Sequence, residues 1–415
     1  RAQGTVSMAP LQNAHPYKAN ISLLSAYQWQ QVHVNDGATL DLHGDNTAVA
    51  GTVSLLAALP TLPKPAQLSV PFHFDFASTT FNITALKASS GSMQLDADAK
   101  VALGNKSLAS ITASLRGIDP GIWADSLSGT LAANTRVSIE WSKTLQAVTV
   151  ESFSAKGDVN QRMLSASAAG DWHQGSVWKL AAAQLLYGQS RLDISASGET
   201  RTAQITAKFD DPQFGTSDLE CTLTDIFEST GNGNCRRLRL NPPQQWQLPV
   251  LHNENALAFS WSRGTNTYIM SPFCLQAAQA KICTAQEAGW RNNILDGKFA
   301  LTGFDIGWAR HWLPPEYAAT GHINGTLAFN QARGMPMQWA LLLDSSDAAL
   351  QMPAAGTGIT LAVNQLHAQV TANAERIQTH LSADAQQYGH IDAQLALLQN
   401  RQLAGRITLA DGALK

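Results

Sequence analysis

The sequence predicts an all-β protein, an elongated curled sheet of two-faced strands with short helical turns. Residues 68–76 read LSVPFHFDF, with large apolar side chains on every second position. That spacing gives an extended strand one apolar and one polar face. Weaker versions of this alternation recur to the end of the chain. Only 14% of the residues are charged, against roughly 25% in an average soluble domain. Exposed faces of surface helices are usually rich in charged residues, so this low content favours β structure.

Alternating segments and turn signals succeed one another along the chain. The clearest further strands are predicted at residues 93–103, 137–141, 192–196, 359–363 and 391–395. Turn residues occur at Asn35-Asp36-Gly37, Ser90-Gly91, Lys156-Gly157-Asp158 and Asp411-Gly412. A spacing of about a dozen residues from strand to strand predicts a meander of roughly thirty strands.

The four cysteines fall as two close pairs, Cys221 with Cys235 and Cys274 with Cys283. Three pairings are possible, and the spacing favours two local disulfides. Four buried free thiols are the alternative. Disulfides would indicate an oxidising compartment, either the periplasm or the cell exterior. No Cys-x-x-Cys pair or suitably spaced histidine indicates a metal site, and no cofactor is expected.

Two segments echo each other. GIDPGIWA at 117–124 is followed by GTLA at 129–132, and GFDIGWA at 303–309 is followed by GTLA at 325–328. The aspartate of each segment, Asp119 or Asp305, is expected to cap a short helical turn. Such echoes are typical of a repeat architecture, although chance similarity within a low-complexity β sequence is the alternative.

The chain is expected to have three parts. Residues 1–200 would form N-terminal groove repeats, 201–300 strands with the disulfide-bearing segment, and 301–415 C-terminal groove repeats. The first residues lack the features of a signal peptide, no run of about 18 apolar residues predicts a membrane-spanning helix, and the end stops inside a strand-like pattern. We therefore expect an internal piece of a longer polypeptide.

No motif indicates catalysis. The sequence has no Gly-x-Ser-x-Gly elbow, no phosphate-binding glycine loop and no His-Glu-x-x-His. Asp96 and Asp98 lie two apart as paired acids might, but a solvated strand face is the favoured interpretation. A net charge of -3 without a basic patch argues against nucleic acid. We expect a protein that is not an enzyme.

The apolar stripe is then the candidate functional feature. A sheet that keeps adding strands must curl, split or leave a trough, and an apolar trough of this length needs a ligand or a covering partner. Closed-core packing without a ligand is the alternative for any single position. The expected lining residues are Val70, Phe72, Phe74, Phe76, Leu95, Val101, Ile139, Trp141, Ile194, Leu361, Val363 and Leu395.

The cysteine segment carries a more specific signal. SPFCL at 271–275, IC at 282–283 and GKFALTGFD at 297–305 are followed by Leu313-Pro314 and by GHING at 321–325. This order resembles the TamB family, the inner-membrane subunits of the translocation and assembly module. The resemblance is specific mainly after residue 200 and looser before it. We expect the family's N-terminal membrane anchor and its terminal outer-membrane domain to lie outside this piece of the polypeptide.

The resemblance implies a periplasmic β-taco-like fold, a curled sheet with an apolar inside, related to AsmA-like bridge proteins. Members are thought to bridge the inner and outer membranes of Gram-negative bacteria. They work with TamA, an outer-membrane barrel of the Omp85 family. The inner-membrane tether would lie in a part not present in this chain. No catalysis is implied.

Three hypotheses follow from these observations. The first is a bridge that conducts phospholipids along the groove between the two membranes and supports outer-membrane protein assembly with TamA. The second is a chaperone-like scaffold that presents strands to outer-membrane β-barrel proteins without lipid transport. The third, an extracellular adhesin-like β-solenoid, would require strict short-period repeats, which the sequence does not have.

Overall fold

Alternating apolar and polar residues form antiparallel strands throughout the part of the chain that the structure describes. The structure is a computed structural model, and it describes the 415 residues except 1, 9–15, 30–31, 59–63, 123–125, 176, 247, 309–315, 353–358, 386–388, 399–401 and 411–415. Its regular elements are strands and short 3-10 turns, such as those at Pro120–Ile122 and Gln244–Trp246. The predicted all-β class is therefore confirmed.

The chain divides into two units, Arg1–Glu199 and Thr200–Lys415. The predicted three-part division stays a prediction. The strands of unit 1 are β1 (Ala2–Met8), β2 (Tyr17–Leu23), β3 (Tyr27–Trp29), β4 (Val32–Val34), β5 (Thr39–Gly44), β6 (Ala48–Ala58), β7 (Ala66–Asp75), β8 (Thr80–Ser90), β9 (Met93–Ala102), β10 (Ser107–Ile118), β11 (Gly129–Trp141), β12 (Leu145–Val159), β13 (Arg162–His173), β14 (Trp178–Tyr187) and β15 (Ser190–Gly198).

Unit 1 is a meander with one local variation. From β5 to β15 each strand pairs with the next along the chain, always antiparallel. At the start, β1 pairs with β2 and β2 with β5. The hairpin of β3 and β4 adds to the end of β6, where His33 pairs with Ala58. Short connections between neighbours explain this simple order, since antiparallel strands can be joined by tight hairpins.

Unit 2 contains eighteen described strands. They are β16 (Thr202–Asp211), β17 (Gly215–Thr224), β18 (Thr230–Asn241), β19 (Leu251–Asn253), β20 (Leu257–Ser262), β21 (Thr267–Met270), β22 (Cys274–Ala277), β23 (Ala280–Thr284), β24 (Ala288–Arg291), β25 (Ile294–Asp305), β26 (Ala318–Thr320), β27 (His322–Ala332), β28 (Gln338–Ser345), β29 (Ala348–Met352), β30 (Ile359–Ala372), β31 (Arg376–Ala385), β32 (Gly389–Leu398) and β33 (Leu403–Ala410).

Between β18 and β25 the sheet of unit 2 runs as two tracks of short strands. One track connects β18 to β25 through β20, β21 and β24. The other connects the same two long strands through β19, β22 and β23. Between β18 and β25, two short strands therefore take the place of each long strand of the sheet. After β25 the long strands β27, β28, β30, β31, β32 and β33 pair in turn, with β26 and β29 alongside.

Four of the six predicted strand segments fall entirely within strands of the structure, and the segments 68–76 and 93–103 each run one residue past the end of their strand. The predicted turn at Lys156-Gly157-Asp158 is wrong, because these residues lie inside β12. Gly157 pairs with Leu131 and leaves room for its side chain. The turn comes later, at Asn160-Gln161, where both residues have positive φ, 50° and 64°, as a two-residue hairpin of type I′ requires. Leu313-Pro314 and Asp411-Gly412 lie outside the described residues.

The two echo segments share a local geometry. The Asp119 carboxylate accepts the backbone N–H of Gly121 at 2.8 Å, and the Asp305 carboxylate accepts that of Gly307 at 2.7 Å. The glycine two positions before each aspartate has a nearly identical positive φ, 68° at Gly117 and 67° at Gly303. Each segment therefore ends a long strand with a left-handed glycine and an aspartate-capped turn.

Candidate functional site

Cross-strand register places the apolar residues of unit 1 on one face of its sheet. Phe74 pairs with Phe81, Phe81 with Val101, Val101 with Ala109, and Ala109 with Ile139. Directly paired residues point to the same face. The series continues through β12 to β15 in the same way. The apolar face is therefore continuous across the described strands of unit 1.

The predicted lining residues of unit 1 lie on this face or at its margin. Those within strands of the face are Val70, Phe72, Phe74, Leu95, Val101, Ile139, Trp141 and Ile194. Phe76 follows the end of β7 and is 47% exposed. Its ring meets that of Phe74 edge to face, with centroids 5.0 Å apart.

Unit 2 has its own apolar face, and it carries the other three predicted residues. Leu361 pairs with Leu350, and Val363 with Ala385. Leu395 pairs with Thr379, whose partner on the other side is Val370. Leu395 is 36% exposed. The role of all twelve residues as a ligand lining stays a prediction.

Neither apolar face is closed into a packed core in the described residues. In a β-sandwich the inner residues interdigitate with those of a second sheet. Here the predicted lining residues are half-buried or exposed, and alanines outnumber every other residue type among the buried apolar residues. Ile118, Leu131 and Val159 form one small buried cluster beside the capped turn. The faces leave apolar surface available to a ligand.

Glycines on the apolar faces lie beneath large side chains of the neighbouring strand. Gly233 pairs with Phe259, Gly231 with Trp261 and Gly51 with Phe72. A Cβ atom on any of these glycines would overlap the facing aromatic ring. The rings therefore extend across the backbone of the adjacent strand instead of standing into the groove. These glycines are not among the predicted site residues, although a glycine at an apolar position of an alternating strand indicates such a close approach.

The polar faces hold structural contacts. Asp98 accepts the backbone N–H of Ala85 at 2.8 Å. Ala85 sits in a β-bulge with a positive φ of 54°, so Asp98 stabilises a bend in β8. Asp96 pairs with Lys87 and Ser114. These contacts give Asp98 a structural role.

Unit 2 carries four histidine–aspartate contacts on exposed or half-buried positions. They are His322–Asp347 at 2.8 Å, His367–Asp344 at 2.7 Å, His380–Asp392 at 2.6 Å and His390–Asp384 at 2.6 Å. The hydrogen bond to Asp347 raises the pKa of His322 above its usual value, and the same bond lowers the pKa of Asp347. Among the described residues, no group of three or more His, Cys, Asp or Glu side chains is arranged to hold a metal ion.

Both disulfides join directly paired residues of unit 2. Cys221 of β17 is bonded to Cys235 of β18, and Cys274 of β22 to Cys283 of β23. Cys235 is buried and packs with Leu257 on the apolar face. Leu275 and Ile282 point to the opposite face from their neighbouring cysteines, because side chains alternate along a strand. The first bridge therefore lies at the edge of the region of broken strands, and the second lies inside it.

Beside the first disulfide, the apolar face of unit 2 deepens into a cleft of about 1130 Å³. Strands β17, β18, β20, β21, β24 and β25 form it together with turns between strands, and its lining is mainly apolar. The lining includes Leu219, Leu223, Leu238, Leu257, Phe259, Trp261, Tyr268, Met270, Trp290 and Leu295, together with Arg263 and Arg333. Hydrophobic and aromatic walls with a few polar groups are the usual features of a ligand site.

Comparison with known proteins identifies the second half of the chain. Residues 222–415 match the family model "TamB, N-terminal domain". No curated protein matches the chain. The described residues contain no helix that is both long and apolar enough to cross a membrane. The matched residues include the second disulfide, the broken strands and the long strands that follow, and this part of the chain belongs to the TamB family.

Proposed function

We propose that this chain is part of a periplasmic bridge of outer-membrane biogenesis that conducts phospholipids along its apolar faces. The TamB family is a family of envelope bridge proteins and not a known enzyme family. The observation that carries the proposal is the continuous, unsealed apolar face of each unit. A lipid acyl chain would cover such a face without requiring a second sheet.

The proposed mechanism is passive movement along similar binding positions. Acyl chains would lie against the apolar face while headgroups stay at the solvated margin. Each CH₂ group removed from water contributes about 0.8 kcal/mol, so a chain is held by many small contacts. Successive strands offer similar apolar side chains, such as Phe81, Val101 and Ile139. Nearly equal affinity at successive positions permits movement instead of trapping.

Photocrosslinking tests the proposal. A photoreactive amino acid at Phe74 or Leu361 should capture phospholipid in cells that express the whole protein. The same group at His73 or Thr360, the adjacent exposed positions, serves as the control. Neighbouring residues point to opposite faces, so capture should be confined to the apolar positions. Equal capture at both members of each pair, or none at either, would contradict the proposal.

The family assignment also motivates the proposed location and partner. We propose that the described strands lie in the periplasm and that the protein is tethered to the inner membrane through another part. A TamA-like outer-membrane barrel of the Omp85 family is the proposed protein partner. Site-directed crosslinking between exposed positions of this chain and such a barrel in cells would test the contact.

The chaperone-like scaffold is supported by one different feature. Every described position of β33 is exposed, including Leu403 at 69% and Ile407 at 71%. An exposed strand of this kind can pair with an extended peptide. Capture of barrel-strand peptides by a lipid-free protein would favour this function over lipid conduction.

A further inference from the structure

The cleft of unit 2 differs from the rest of the apolar face in its depth. Its volume of about 1130 Å³ lies above the range of roughly 300–1,000 Å³ that is usual for small-molecule sites. The floor carries Phe259, Trp261, Tyr268 and Trp290. A cavity of this size with an aromatic floor suits a ligand with long hydrocarbon chains.

Local sequence explains the depth. Phe259 and Trp261 lie across Gly233 and Gly231 of β18, so their rings cover backbone and do not fill the cleft. The cleft also lies on one track of short strands, where each row of the sheet is broken. Depth here is therefore built into the fold.

The charged residues that line the cleft are both arginines. Arg263 and Arg333 are exposed and lie in hairpin turns, accompanied by Asn266 and Asn293. The Arg263 guanidinium donates one hydrogen bond to the carbonyl of Ile226 at 2.7 Å, which leaves its other donors available for a ligand. No aspartate or glutamate lines the cleft in the part of the chain that the structure describes.

Apolar walls with two arginines at the edge of the cleft suit one class of ligand, an apolar molecule with a negatively charged group. A guanidinium presents several N–H donors in a planar fork that suits phosphate oxygens. A phosphate beside an acyl chain is the chemistry of a phospholipid, and a second negative charge in the headgroup would use the second arginine. A zwitterionic headgroup would place its own cation near the arginines.

We propose that this cleft is a binding station for one phospholipid with an anionic headgroup. The acyl chains lie on the aromatic floor, and Arg263 and Arg333 contact the headgroup. This inference rests on the proposed lipid-conducting function and adds a preferred position to it. This cleft combines a volume of about 1130 Å³ with two arginines, and together these features hold a lipid longer.

Photocrosslinking of the whole protein with vesicles tests the station. A photoreactive amino acid replaces Met270 in the cleft, and a second version carries it at Ile139 in unit 1. The vesicles contain equal amounts of phosphatidylglycerol and phosphatidylcholine with identical acyl chains. At position 270 the captured lipid should favour phosphatidylglycerol about fivefold, the effect of two exposed charge pairs. At position 139 the ratio should be near one.

Arginine variants identify the source of the preference. Arg263→Gln with Arg333→Gln should bring the ratio at position 270 close to one. Arg333→Gln alone should lower it partway, and its turn should persist because the backbone N–H of Arg333 makes the bond to Asn293. Arg376→Gln, at the start of β31 and outside the lining of this cleft, is the control and should leave the ratio unchanged.

The outcomes separate the station from the general function. Capture at both positions without any lipid preference, or a preference that survives the double variant, overturns the station and leaves lipid conduction standing. Capture at position 139 with none at position 270 does the same. Absence of capture at both positions overturns lipid conduction and the station together.

Discussion

The strands of β10 to β14 in unit 1 and the strands between β18 and β25 in unit 2 use the same alternation differently. In unit 1 the strands are 10 to 15 residues long, and they present an even series of apolar side chains. In unit 2 the rows consist of strands of three to six residues, and the face deepens into a cleft. The shape of the apolar surface therefore depends on whether the strands are long or broken, and not on alternation alone.

Side chains repair the hydrogen bonding where the strands of unit 2 break. Pro272 has no backbone N–H and stands between β21 and β22. The Thr284 hydroxyl accepts the backbone N–H of Phe273 at 2.8 Å, and the Asn253 side chain accepts that of Leu238 at 2.8 Å. These bonds satisfy backbone groups that the ladder leaves unpaired. The broken region therefore depends on particular side chains as well as on the hydrogen bonds between its strands.

Removing the first disulfide should produce the largest difference in stability between the two regions. Cys221→Ala with Cys235→Ala opens a bridge between residues 14 apart in sequence, and closing such a loop is worth about 3 kcal/mol of unfolding free energy. Hydrogen exchange should accelerate in β17 to β20 and stay unchanged in β10 to β14. Equal acceleration in both regions would show that they unfold together.

Adding a methyl group at a glycine beneath an aromatic ring should have the second largest effect. Gly233→Ala would force the Phe259 ring upward, at a cost of roughly 1–3 kcal/mol for an overpacked site. Gly264→Ala is the control because no neighbouring atom lies near the added Cβ. Denaturant unfolding measures the changes, and a Gly233 variant as stable as the control would contradict the flat-ring interpretation.

The bulge of unit 1 provides a smaller test. Asp98→Ala removes the acceptor for the Ala85 N–H and should lower the unfolding free energy by about 1 kcal/mol, the net value of one hydrogen bond. Asp96→Ala is the matched control on the same strand. Hydrogen exchange at Ala85 should accelerate only in the first variant, and similar behaviour of both variants would remove the structural role of Asp98.

The smallest effect is expected from the His322–Asp347 pair of unit 2. Because the hydrogen bond raises the pKa of His322, its contribution is full below the ordinary histidine value and is lost as the pH rises through the raised pKa. Because it lowers the pKa of Asp347, that contribution is lost as the pH falls through the lowered value. NMR titration should show His322 titrating above pH 6.5, and Asp347→Asn should return it toward that value.

Much of the fold could be predicted from local sequence. Residues 68–76 and 93–103 predict strands correctly because alternation with a period of two is set by the chain itself. The same reasoning failed at Gly157, since a glycine inside a strand and a glycine in a turn look alike until the partner strand is known. The glycine–aromatic pairs could not be predicted for the same reason, because Gly233 and Phe259 lie on different strands and meet only in the paired sheet.

Local sequence is enough to predict the all-β class, the faces of the strands and the caps at Asp119 and Asp305, because each depends on residues close together in the chain. The unsealed faces, the broken strands of unit 2 and the position of Arg263 and Arg333 at one cleft become visible only in the folded chain. These features depend on which distant residues the strand pairing brings together. Alternation fixes the side of the sheet on which a residue lies, but only the register determines its neighbours.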